Sequence, residues 1–104
     1  MKESDWKVFK EIKSKALDKF CAAVLDECVE QIDLENATNH EKYLSIYKLI
    51  DDRNYEISRL FDFHSRSKAV LQLLAIREEG LADEKLVETL SEEFQKRTDP
   101  KKYE

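Results

Sequence analysis

Residues 4–33 read SDWKVFKEIKSKALDKFCAAVLDECVEQID. Within them Val8, Phe9, Ile12, Ala16, Leu17, Phe20, Cys21, Val24, Leu25, Cys28, Val29 and Ile32 recur at steps of three and four, the spacing that gathers side chains on one face of an α-helix. Ser4 or Asp5 is expected to cap its first turn by accepting from free backbone N–H groups, and the helix is expected to end near Asp33. Around Cys21-Ala22-Ala23-Val24-Leu25 the apolar stripe widens toward the whole circumference, which predicts a central helix covered on more than one side. At 1.5 Å per residue it spans roughly 43 Å, more than a globule of this size needs. Part of it is therefore expected to be covered by a second copy of the chain, as a homodimer.

Outward from this helix, residues 34–39 lack periodicity and supply turn-tolerant Asn36 and Asn39. Thr38 and Glu41 stand at capping-box spacing and predict the start of a second helix carrying Tyr43, Ile46, Tyr47, Ile50, Ile57, Leu60 and Phe61. Asp62-Phe63-His64-Ser65 marks a kink or a short connection, with Ser65 or Ser67 placed to cap a third helix through Ala69, Val70, Leu73, Leu74 and Ile76. The single glycine, Gly80, follows Glu78-Glu79, where a left-handed residue commonly ends a helix, and Leu81 is placed to fold back onto Ile76. A last helix is expected from Asp83 to about Arg97 or Thr98, stopped by Asp99-Pro100. The expected fold is all-α, an antiparallel bundle of four helices with a long first one, the second and third either separate or one kinked helix. Residues 1–98 form the single domain and 99–104 a frayed tail.

Composition agrees with this class. Of 104 residues, 39% are charged, and one Gly with one Pro is too few for the many turns of a β-rich domain. A formal net charge of −5 argues against broad attraction to phosphate backbones or anionic lipid, so neither nucleic acid nor membrane is an expected partner. The charged start of the chain lacks an apolar signal core, which predicts a cytoplasmic protein. Cys21 and Cys28, seven apart, place their Cα atoms about 10 Å apart along a helix, too far for a disulfide. Zinc would need His40 or His64 brought in at no recognised spacing, so two buried thiols packing as small apolar groups are expected.

No Gly-rich phosphate loop, G-x-S-x-G elbow, H-E-x-x-H or E-x-x-H motif occurs, and neither cofactor nor metal is expected. A helix-turn-helix reading of residues 67–98 fails on charge, because Asp83, Glu84, Glu88, Glu92 and Glu93 would face the major groove. Lys10, Lys13, Lys15 and Lys19 read as a solvated helix face. The unusual stretch is residues 51–66. Arg53 and Asn54 share a helix face with Ile46, Ile50, Ile57 and Phe61, and a guanidinium there needs either a carboxylate from another helix or an anionic ligand. His64 lies close to Asp62, a pairing that would orient an imidazole only if the chain is irregular there, since residues two apart on a helix do not face each other. Arg53, Asn54, Asp62, His64 and Arg66 are thus the candidate lining of a polar pocket. Tyr43, Tyr47 and Tyr55 are candidate interface residues, with ordinary core edge as the equal alternative. The function expected is a small helical protein-interaction or regulatory module of immunity, antitoxin-like or adaptor type, its acidic surface meeting a basic protein partner. The alternative is a small-molecule-binding protein or enzyme built on the polar pocket.

Overall fold

The computed structural model describes residues 1–103. Helix α1 runs Glu3–Ile32, α2 Asn39–Phe61, α3 Ala69–Glu78, α4 Glu84–Val87 and α5 Glu92–Arg97; a 3-10 turn at Arg66–Lys68 leads into α3 and another at Pro100–Tyr103 follows α5. There is no strand among the described residues. The all-helical class and the long first helix are as the periodicity predicts. No helix among the described residues is long and apolar enough to cross a membrane.

The molecule measures 53 × 25 × 22 Å with a radius of gyration of 16.8 Å, against about 13 Å for a compact chain of this length. The excess comes from uneven covering of α1. Its first two-thirds carry a lobe with two adjoining cores. One gathers Trp6, Phe9, Ile12, Ala69, Leu73, Val87, Leu90 and Phe94, and the other Ala16, Leu60, Phe61 and Ile76. Beyond Phe20, α1 pairs with α2 alone, and between Cys21 and Glu56 only Cys28 is buried. Residues 21–56 thus form an antiparallel two-helix arm that projects from the lobe.

Local signals decide several ends. The Glu41 N–H donates to Thr38 Oγ1 at 3.1 Å and the Thr38 N–H to Glu41 Oε1 at 3.0 Å, closing the expected capping box. Gly80 has φ of 72°, its N–H donates to the Arg77 carbonyl, and the Leu81 N–H donates to the Ile76 carbonyl, both near 3 Å. These two bonds satisfy carbonyls that the end of α3 leaves free, and Leu81 packs against the core that contains Ile76. Helices α2 and α3 are separate. Ser65 is extended, and Gln72 Nε2 donates at 2.9 Å to the Leu60 carbonyl, a free acceptor in the last turn of α2.

Two expectations are corrected. Neither Ser4 nor Asp5 caps α1: the cap position is Lys2, without a side-chain bond, and Asp5 lies inside the first turn at 4% exposure. Its carboxylate accepts from the Ser91 N–H at 2.7 Å and the Ser91 hydroxyl at 2.6 Å. That contact accounts for the second difference. The expected helix over 83–98 is two short ones, because Ser91 is drawn to Asp5 and caps α5 anew by accepting from the Phe94 N–H at 3.3 Å. Leu86, Val87, Leu90 and Phe94 still face α1, so the periodicity holds across the break. Arg77 Nη1 donates to the Gln95 carbonyl and to buried Thr98 Oγ1, which ties the end of α5 to α3.

A Cβ at Gly80 would meet nothing within 4 Å. The Gly80→Ala variant is therefore expected to lose about 1 kcal/mol, from the left-handed backbone alone; urea unfolding measures it, and an unchanged midpoint would mean that the turn is made differently. The Thr38 N–H holds the Glu41 carboxylate below the usual glutamate pKa. Because the folded-state pKa is the lower one, the box supports α2 in full above the ordinary glutamate value and loses that support as pH falls through the lowered one. An NMR titration of the Glu41 carboxyl is expected to show the depressed midpoint, and an ordinary midpoint would mean that the box is open in solution.

Candidate functional site

The candidate pocket residues fall in two places. Arg53 sits on the arm, its Nη2 3.0 Å from Glu27 Oε2 of α1 and its Nη1 3.5 Å from Glu56 Oε2. Glu27 is the carboxylate from another helix that an arginine on an apolar face requires. All three side chains keep roughly a third of their surface or more in water, so solvent screens the pair and its worth is below about 1 kcal/mol. Asn54, one residue on, is exposed at the edge of a groove between α1 and α2.

Asp62, His64 and Arg66 lie at the α2–α3 connection, with Asp62 nine residues beyond Arg53, about 13 Å along the helix. Asp62 and His64 do not pair. Asp62 accepts from the Ser58 hydroxyl one turn earlier, while the His64 ring tilts over Trp6 with centroids 5.3 Å apart. Arg66 lays its guanidinium 4.9 Å from the Trp6 ring centroid and clasps both oxygens of Glu3 at 2.9 and 3.1 Å. Lys13 Nζ donates to the Phe63 carbonyl and stands 3.5 Å from His64 Nδ1. Partial burial lowers the Lys13 pKa, with the negative charge of Asp62 opposing the shift. These contacts fasten the connection to the start of α1. Three more lysines of α1 are engaged similarly: Lys19 donates to the Gly80 carbonyl, Lys15 stands 3.6 Å from Asp83, and Lys10 lies over Trp6.

The arm supplies what periodicity alone did not single out. At 100° per residue Cys21, Leu25, Cys28 and Ile32 of α1 lie within about 60° of one another, and Tyr43, Ile46, Ile50, Asn54 and Ile57 of α2 within about 80°. The two stripes flank the open groove, which holds about 230 Å³ between Cys21, Val24, Leu25, Cys28, Ile50, Arg53, Asn54 and Ile57 and, apart from Arg53 and Asn54, is lined by apolar side chains and thiols. Cys28 is buried at its floor, but Cys21 is only half-buried, contrary to the expectation of two buried thiols. Leu25 is 63% exposed, Tyr43 68% and Tyr47 66%, and Val29, Ile32 and Ile50 are exposed as well. The expectation that the middle of α1 is covered on more than one side does not hold among the described residues, of which only those of α2 cover it, along one flank. Tyr55 is exposed but lies about 180° from Ile46, off this face.

No Asp, Glu, Lys or Arg falls on either stripe between Cys21 and Ile32 or between Tyr43 and Asn54, apart from Arg53 at its edge. The other side of the arm is lined by Glu27, Glu30, Gln31, Ser45, Lys48 and Asp52. The arm is therefore amphipathic as a unit. A surface depleted of charge and holding exposed tyrosines has the composition of the centre of a protein interface.

The Arg53→Ala variant is expected to stay folded and to lose less than about 1 kcal/mol in urea unfolding, as a half-exposed pair should. A loss of several kcal/mol would mean that the Arg53–Glu27 contact is buried in solution. Comparison of the chain with protein-family models, with curated proteins and with solved structures finds no match.

Proposed function

We propose that this chain is a small helical protein-interaction module, of adaptor, immunity or antitoxin-like type, that docks through the uncharged face of its two-helix arm. One observation carries the reading: in a chain that is 39% charged, two adjacent helices present a charge-free strip in which Leu25, Tyr43 and Tyr47 are each about two-thirds exposed. Exposed apolar strips of this extent are uncommon on monomers and mark interaction surfaces. The lobe's part is to hold α1 rigid so that the arm projects. On the arm's other side Glu27 is taken by Arg53, and Glu30 and Asp52 are placed to meet a basic protein.

The small-molecule or enzyme alternative has less behind it. Its five residues do not converge, Arg66 and His64 are occupied by Glu3 and Trp6, and Arg53 by Glu27 and Glu56.

Capture of proteins from native lysate on the immobilised chain at moderate salt tests the reading. A partner held by the wild type and by Tyr55→Ser, but lost with Leu25→Glu combined with Ile50→Glu, is the expected outcome. Identical capture by all three would show that the strip is not the docking surface.

A further inference from the structure

We infer that the occupant of the arm's uncharged face is a second copy of this chain, paired antiparallel about a two-fold axis so that two arms close a four-helix bundle. The inference deepens the docking reading and rests on it. Four observations favour a copy over an unrelated partner.

The first is area. Leu25, Val29, Ile32, Tyr43, Tyr47 and Ile50 are each between 43% and 68% exposed; together they offer on the order of 700 Å², close to the roughly 800 Å² that each partner buries in a standard stable interface. The second is the shape of what is missing. Each arm is half a bundle, two antiparallel helices with one open stripe apiece, and another arm fills that vacancy with helices of the same length and spacing.

The third is the relation between the ends of the face. The groove lies toward the lobe, between Cys21, Leu25, Ile50 and Ile57, while Tyr43 stands eleven residues from Asn54, about 16 Å nearer the arm's tip. A two-fold axis through the middle of the face exchanges tip and base. It lays the ring of Tyr43 from each copy over the groove of the other, and places Leu25 and Ile50 near the axis. A parallel pairing would set groove against groove and leave both unfilled.

The fourth is charge. Each chain has a formal net charge of −5, which opposes association unless the carboxylates are kept apart. The facing stripes hold none, and Glu27, Glu30 and Asp52 lie on the far side. A basic partner would find its complement on that far side.

Sedimentation equilibrium of the full chain at about 100 µM, well above the micromolar dissociation constants reached by interfaces of this size, tests the pairing. The expected mass is twice 12.3 kDa for the wild type and for Tyr55→Ser. A single-chain mass is expected for Leu25→Glu with Ile50→Glu, its helical circular dichroism retained. A monomeric wild type overturns the inference, and so does a double variant that stays dimeric. Should the double variant unfold, Tyr43→Cys decides: mild oxidation is expected to yield a covalent dimer that Cys21→Ser abolishes. No covalent dimer, or one that survives Cys21→Ser, overturns the antiparallel pairing. The two levels remain separable. A monomeric wild type whose lysate partner is lost with the double variant removes the copy and leaves the docking surface, whereas a monomeric wild type whose capture the double variant leaves unaffected removes the surface itself.

Discussion

A helix of 30 residues is about 45 Å long, and its apolar face continues for almost all of that length. The remainder of the chain must be divided along it. Residues 66–103 contribute only short helices and turns, which are enough to bury Trp6, Phe9, Ile12 and Ala16 but do not reach Leu25. Helix α2 is long enough to run beside the rest, yet one helix covers only one flank of another. The lobe, the projecting arm and the open strip all follow from that mismatch between the length of α1 and the covering available to it. Burying apolar surface yields roughly 25 cal/mol per Å², so the uncovered strip is where the most stabilisation is still to be gained.

The lobe is held by contacts that cross long stretches of chain. Asp5 binds Ser91, Arg66 binds Glu3, Lys13 and Lys19 reach carbonyls of Phe63 and Gly80, and Arg77 fastens the end of α5. Most of these are charged side chains meeting backbone groups that helix ends and turns leave free. The acidic and basic residues that look like a merely solvated face in one dimension therefore act as fasteners between the short elements and α1. The arm has one such link across its face, Arg53 to Glu27, and two near its tip, Lys42 to the Ile32 carbonyl and Ser45 to Gln31.

Features whose cause is local were legible in the amino-acid order. Thr38 with Glu41 announces the start of α2, and Gly80 with Leu81 announces the end of α3, because each motif contains all of its own hydrogen-bond partners within six residues. The break at Ser91 was not legible, since its partner is Asp5, 86 residues away. Likewise His64 goes to Trp6 rather than to neighbouring Asp62, a choice made by the folding of residues 62–68 onto α1. Periodicity placed Leu25, Val29 and Ile32 on an apolar face correctly, but spacing says which side chains share a face and not whether anything covers it. For Arg53 the requirement for a carboxylate from another helix could be read, while the identity of Glu27 could not.

The first core, which joins Phe9 to Phe94, also constrains the order in which the molecule can assemble. The α1–α2 hairpin is a local structure whose loop is six residues long, and local contacts form early. The first core, by contrast, needs Val87, Leu90 and Phe94 against Phe9, so the lobe cannot close until synthesis has passed Phe94. Any arm formed in that interval has its strip uncovered and the N-terminal half of α1 bare as well. Two nascent chains on one message would present these surfaces to each other before either had a finished lobe.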